Sequence, residues 1–242
     1  MKFLGKKNSE SDSAIWLSNS DLMAGLMIIF LFISVGFIRE KAPEIVGQQQ
    51  YIMNYLSSID NQENKILDAL ENEFTEDEKK NWNLEIIRDE QLIRFNAPDI
   101  MFNLNDDELT ERYKKIIELF FPRYIRTLAS FGSIIKEIRI EGHTSSEWLS
   151  ASNEEAYFNN MILSQKRTIS VLDQALNSIL KSGTTEQDRD WAFKRVSASG
   201  MSSRNLIFLQ DGEEDAKKSR RVEFRYLLSE ENKIEFIKKN LK

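Results

Sequence analysis

Ile15-Trp16-Leu17-Ser18-Asn19-Ser20-Asp21 runs straight into Leu22–Ile38, LMAGLMIIFLFISVGFI, a stretch without a charged residue. Those seventeen residues make roughly 25 Å of helix, short of a hydrocarbon core of about 30 Å. A helix begun at Ile15 reaches about 36 Å and spans it. That start places Trp16 at the headgroup level, where amphipathic rings favour the interface. It also sets Asp21 roughly 9 Å inside the helix start. A carboxylate within a span costs up to about 3 kcal/mol at the centre and less near the edge, so Asp21 is a functional candidate. Ser20 and Asp21 are also good N-caps, and a helix opening at Leu22 is the competing interpretation. Against it, a cap would waste the apolar triplet Ile15–Leu17 on an aqueous tail. One turn after Asp21 stands Gly25, which gives a neighbouring backbone, water or ion access to the carboxylate.

Working outward, Lys2, Lys6 and Lys7 precede the apolar run and Arg39 and Lys41 follow it. The run is longer than a signal-peptide core and no small-x-small cleavage pattern follows, so an uncleaved signal-anchor is expected. The weak cationic excess puts the N-terminus, residues 1–14, in the cytoplasm and the bulk of the chain outside the inner membrane, in the periplasm. The chain has 242 residues and a net charge of −6, which argues against a direct nucleic-acid partner. It has no cysteine, which excludes disulfides, thiolate metal sites and a lipidated cysteine.

Residues 39–81 read as a helical connector interrupted locally at Pro43. Ile45, Ile52, Ile59 and Ile66 recur at heptad spacing, with Leu56 and Leu70 each four residues after an Ile. An apolar heptad repeat of this kind is expected to pair in a two-stranded parallel coiled coil, hence a homodimer. The alternative is a helix lying on a globular domain. Ser20 and Ala24 are small residues that permit close helix approach in lipid.

From Trp82 the periodicity changes. Leu84–Arg88 and Gln91–Phe95 form a strand pair, and Asn105/Asp106 opens a helix carrying Leu109, Tyr113, Ile116, Ile117, Phe120 and Phe121, broken or kinked at Pro122. Ile134–Glu141 is a strand, Gly142–Ser146 a turn, and Asn153–Lys181 a long helix. Arg195–Ser199 and Arg221–Leu228 complete the strands, with a loop over Gly200–Gly212 and a basic tail over 229–242. The fold class is a single N-terminal transmembrane α-helix followed by an α+β domain over 82–228, a mixed sheet with helices packed on one face.

Trp16-x4-Asp21-Leu-Met-Ala-Gly25-Leu-Met-x-x-Phe30 resembles the membrane helix of the MotB family of ion-driven stators. The resemblance implies that Asp21 is the protonatable, ion-translocating group. Three pieces farther on resemble the OmpA-like peptidoglycan-binding domain. They are Ile138–Thr144 (v-x-v-x-G-H-T), Asn160-x-x-Leu163-Ser164-x-x-Arg167 on the long helix, and Ser219–Phe224 at the last strand. The resemblance implies that peptidoglycan is held by Ser145, Asn159, Asn160, Leu163 and Arg167. In that family an Asp in the turn meets the amine of diaminopimelate and the helix Arg meets a carboxylate, which suits a guanidinium fork. Here Ser145 replaces that Asp, Asn159 stands at a common Tyr position, and about seven extra residues lie within Ser146–Ala156. Glu147 or Glu154 are the candidate substitutes for the acid.

The S-D-L-M-A-G-L-M run, the turn Gly142–Trp148 without Asp, and L-S-Q-K-R-T-x-x-V-L at Leu163–Leu172 are similar to the B subunits of Zorya anti-phage defence systems. This implies a MotA- or ZorA-like multi-pass ring as partner. The translocated ion is expected to be H+, with no cofactor. A flagellar MotB-type stator, or a purely structural wall anchor, are the alternatives. His143 is expected to be a hydrogen-bonded turn residue, since no second His and no Cys offers metal spacing. Arg220 and Arg221 are expected to form salt bridges within the sheet, and Phe120, Phe121, Trp148 and Trp191 to pack in the core or insertion. No phosphate loop or nucleophile elbow is present, so an enzyme is not expected.

Overall fold

The computed structural model describes residues 8–103 and 106–229. The chain divides into two compact units, Met1–Ser57 and Ser58–Lys242. Helix α1 covers Asn8–Glu73 and contributes to both. Asn105, most of the tail and residues 1–7 lie outside the described residues.

In the first unit α1 is already helical at Asn8, so Ser20 and Asp21 stand inside the helix and cap nothing. The helix also continues through Pro43 without the expected interruption. Residues Asn19–Ala42 form a segment long and apolar enough to cross a membrane. Side chains from Asp21 to Lys41 are all exposed, including Leu22, Met27, Phe30, Phe32 and Phe37. Such an exposed helix, apolar all round, has the length and composition of a membrane span.

The second unit begins earlier than the periodicity suggests. Ile66, Leu67, Leu70 and Phe74 are buried in its core. The last a and d positions of the heptad pattern therefore face this domain, while Ile52 and Leu56 of the first unit remain exposed. Heptad spacing and the apolar stripe of a surface helix share positions i, i+3 and i+7, so sequence alone cannot assign the partner. A coiled-coil seam cannot extend through Ile66 and Leu70. Arg123 fixes this end of α1: its Nε lies 2.8 Å from Glu73 Oε1, its Nη1 2.6 Å from Glu78 Oε1, and its guanidinium stacks 4.9 Å over Phe74.

Helix α2 (Glu76–Trp82) opens on a Thr75/Glu78 capping box and ends at Asn83 in the left-handed region. Strands β1 (Leu84–Ile87) and β2 (Leu92–Phe95) form the expected hairpin. A short α3 (Pro98–Met101) precedes α4 (Glu111–Ala129). Helix α4 starts at the Thr110 cap rather than at Asp106, whose carboxylate instead accepts from the Asp107 and Glu108 amides. Pro122 lies inside α4, which continues past it.

Strand β3 (Ile135–His143), helix α5 (Asn153–Lys181), α6 (Glu186–Phe193), β4 (Val196–Ser202), α7 (Ala216–Ser219) and β5 (Arg221–Leu228) complete the unit. The sheet order is β1-β2-β5-β3-β4, with β3 and β4 parallel and the other pairs antiparallel. One face carries Ile138, Ile140, Val222, Phe224 and Tyr226 and lies under α4 and α5. Phe120 of α4 is the hub, its ring 5.1 Å from Phe74, Phe95 and Phe224 and 5.2 Å from Tyr124.

Helix α5 rests directly on strand backbone. A Cβ at Gly142 would stand 2.8 Å from Thr168 Cγ2, and one at Gly200 would stand 2.7 Å from Gln165 Cα. Polar bonds fix the same contact. The Gly200 amide donates to Gln165 Oε1 at 2.7 Å, the Ser202 amide to Ser164 Oγ at 3.1 Å, and Ser202 Oγ to the Tyr157 carbonyl at 2.7 Å. Gly142 and Gly200 thus set the depth at which Arg167 is presented.

Candidate functional site

Two regions carry the chemistry. In the first unit Asp21 projects from the exposed apolar helix, and the space around Gly25, one turn on, is open.

In the second unit α5 carries Arg167 to a narrow cleft lined by Met101, Phe102, His143, Ser164, Arg167 and Arg220. The Arg167 Nε donates to the Asp106 carbonyl at 2.8 Å, and its plane stacks 4.8 Å over the Phe102 ring. These contacts orient the fork, and they use none of the hydrogens on its terminal nitrogens. Burial lowers the Arg167 pKa from its ordinary value and the nearby Arg220 adds to the lowering, partly offset by Asp106 and Asp107. Among the described residues neither Arg167 nor Arg220 is paired with a carboxylate. Two cations sharing a half-buried cleft have the charge and geometry to attract an anion such as a carboxylate.

The other predicted residues separate. Asn160 is buried and its amide donates to the Glu147 carbonyl at 3.4 Å, tying the turn to α5. Ser145 is buried two residues beyond β3, and Leu163 is half-buried on α5. Asn159 lines a different pocket, with Trp148, Leu149, Glu154 and Phe158. Glu147 and Glu154 are both exposed. The acid that reaches the turn is Glu214, from the loop before β5. It accepts from the Ser146 amide at 3.1 Å and from Ser146 Oγ. Nothing local to the turn signals a residue so distant in sequence.

The Arg pair behaves asymmetrically. Both line the cleft, but Arg221 forms the expected sheet salt bridge, its Nε 2.6 Å from Glu223 Oε1, whereas Arg220 has no carboxylate partner among the described residues. The strand register places Glu141 directly opposite Glu223, an arrangement of like charges that destabilises a sheet unless compensated. Compensation comes from Arg94, 2.8 Å from Glu223, and from Arg139 and Arg225 at 3.6 Å and 3.4 Å from Glu141. Burial would raise the Glu223 carboxyl, but His143 and Arg221 outweigh it and hold it far below the ordinary carboxylate range.

His143 departs from expectation. It is buried, and neither ring nitrogen has a hydrogen-bond partner among the described residues. Its Nε2 lies 3.4 Å from Glu223 Oε2 and 3.9 Å from Glu141 Oε2. Glu141, His143 and Glu223 offer donor atoms within 4.8 Å of one another, close enough to hold a metal ion. Four guanidiniums already neutralise these carboxylates, and their repulsion opposes a divalent cation there. Trp191 is packed as expected, its indole donating to the Gly132 carbonyl at 3.1 Å. Phe120 and Phe121 are fully buried, while Trp148 is exposed.

No family model matches the chain. It is 38% identical over 236 residues to the Zorya protein ZorB of Escherichia coli strain Crooks, covering 96% of this chain and 97% of that one. Among solved structures, a MotB-like protein from Desulfovibrio vulgaris is 18% identical with a TM-score of 0.46, covering 69% of this chain and 99% of that one. The periplasmic domain of Helicobacter pylori MotB is 19% identical with a TM-score of 0.40, covering 65% and 89%.

Proposed function

Because this chain belongs to the ZorB family of Zorya proteins, we propose that it is a single-pass inner-membrane stator subunit of an anti-phage defence system, anchored to peptidoglycan. The observation that carries the motor half is Asp21. It lies within a continuous, exposed, apolar helix, where a carboxylate is kept only at a cost and therefore for a use. The N-terminus faces the cytoplasm and the second unit lies in the periplasm, in keeping with Lys2, Lys6 and Lys7 ahead of the span.

One helix per chain cannot line an ion path, so a MotA- or ZorA-like multi-pass ring is the required partner. The chain acts as a homodimer, its two membrane helices side by side at the centre of that ring. Asp21 of each protomer alternates between charged and neutral as protons pass along the interface with the ring. Each charge crossing 100 mV releases about 2.3 kcal/mol, which drives rotation of the ring around the stationary dimer. The dimer is stationary because Arg167 and Arg220 clasp a free carboxylate of the peptidoglycan stem peptide. The reading requires neither nucleic acid nor any catalytic step on this chain.

Asp21→Asn keeps the shape of the side chain and removes its titration. With its partner co-expressed, the variant should insert and assemble as wild type yet lose protection against phage, measured as plating efficiency. Unchanged protection would leave only a passive wall anchor.

A further inference from the structure

The connection from β3 to α5 is longer than the strand-turn-helix pattern needs, and its apolar side chains are not spent on the core. Trp148 is 40% exposed, Leu149 92% and Phe158, one helical turn into α5, 63%. The loop is nevertheless built firmly. Ser146 is held by Glu214, the Glu147 carbonyl by Asn160, the Trp148 carbonyl by the Ala151 amide, and the helix start by the Ser152/Glu155 capping box. A fixed loop that holds an indole and a phenyl ring in solvent marks an interaction site.

We propose that this loop is a sugar-binding platform. The rings of Trp148 and Phe158 take the C–H face of a neutral N-acetylated hexosamine, and Glu154 and Asn159, which line the same pocket, take its hydroxyl and amide hydrogens. The proposal rests on the wall-anchoring reading above and deepens it by naming a second subsite for the same ligand.

Two observations select this occupant. Among the described residues the only charged ones lining the pocket are Glu154 and Glu155, and Glu155 is engaged by the Ser152 amide at 3.0 Å. A pocket with acids and no cation repels anionic lipid and the carboxylates of the stem peptide, but accepts an uncharged sugar. The second is spacing. Asn159 in this pocket and Arg167 in the cationic cleft lie on one helix, about 12 Å apart along its axis. Three to four residues of extended peptide cover about that distance. A stem peptide whose sugar rests on Trp148 therefore delivers a carboxylate to Arg167 and Arg220.

The test uses the full chain in detergent and two probes, a disaccharide-tetrapeptide muropeptide and the same tetrapeptide with the sugar removed, titrated calorimetrically. Wild type should bind the sugar-bearing probe about tenfold more tightly, and Trp148→Ala should abolish that gain while keeping the affinity for the bare peptide. Phe158→Ser, at an exposed position, should do the same and serves should Trp148→Ala fold poorly. A gain absent from wild type, or retained in both variants, overturns the platform. Loss of a dimer on Trp148→Ala with the gain intact also overturns it and assigns the surface to a second copy. Arg167→Ala should weaken both probes and keep the sugar's gain. Full binding by Arg167→Ala, with the gain still lost in Trp148→Ala, would keep the platform and refute the cationic cleft instead.

Discussion

Arg167 of α5 and Arg220, at the entry to β5, line one cleft, and Arg220 raises the electrostatic cost of keeping Arg167 charged. Five arginines around the sheet and the end of α1, Arg94, Arg123, Arg139, Arg221 and Arg225, each have a carboxylate partner. Arg167 and Arg220 have none among the described residues, and they share one cleft. A charge-assisted hydrogen bond contributes about 1.5–3 kcal/mol, so Arg220→Ala should weaken co-sedimentation with purified sacculi as strongly as Arg167→Ala, by tenfold or more each. Wild-type sedimentation of the Arg220 variant would return the site to Arg167 alone.

The end of α1 belongs to the second unit's core, which separates two groups of the heptad pattern. Leu70→Ala removes a fully buried side chain and should cost about 2–5 kcal/mol in denaturant unfolding. Leu56→Ser, at an exposed position, should leave the unfolding midpoint of that domain unchanged and act, if at all, on self-association by light scattering. Equal destabilisation by both would contradict the boundary at Ser58.

The seat of α5 on β4 has room for hydrogen only. Gly200→Ala should force helix and strand apart at a cost of about 1–3 kcal/mol, and displace Arg167 with them. Gly183→Ala is the control, since a Cβ there meets nothing within 4 Å. Thermal unfolding of the pair should differ clearly; matching midpoints would show that the helix seat yields.

Glu223 sets a pH dependence whose sign follows from its environment. Its folded pKa lies far below the ordinary 4.5, so the folded state binds its proton less readily than the unfolded chain does. The associated stability is complete above about pH 5.5 and declines as the pH falls through 4.5 and lower. Glu223→Gln should flatten that acid limb. It should also destabilise the domain at neutral pH by about 3–5 kcal/mol, because Arg94 and Arg221 lose a buried partner. An acid limb equally steep in the variant would place the titrating group elsewhere.

The sequence alone determined the apolar helix, the strand pair, the long helix with its Asn160–Arg167 motif and the mixed sheet. Each is written in a local period or composition, and local backbone preference follows local pattern. It also marked Asp21, because a charge in an apolar run is conspicuous without coordinates. Tertiary structure decided the rest. Ile66 and Leu70 have the same spacing whether they face a twin helix or a domain core, and only the fold supplies the surface they meet. Arg220 and Arg221 are chemically identical neighbours at one cleft, and only the fold brings Glu223 to the second and leaves the first without a carboxylate among the described residues. Glu214 reaches Ser146 across 68 residues of chain, and Trp148 remains in solvent because the loop is tied down by its polar atoms. Distances in sequence carry no information about such meetings; only the closing of the sheet, with Gly142 and Gly200 admitting α5, brings them about.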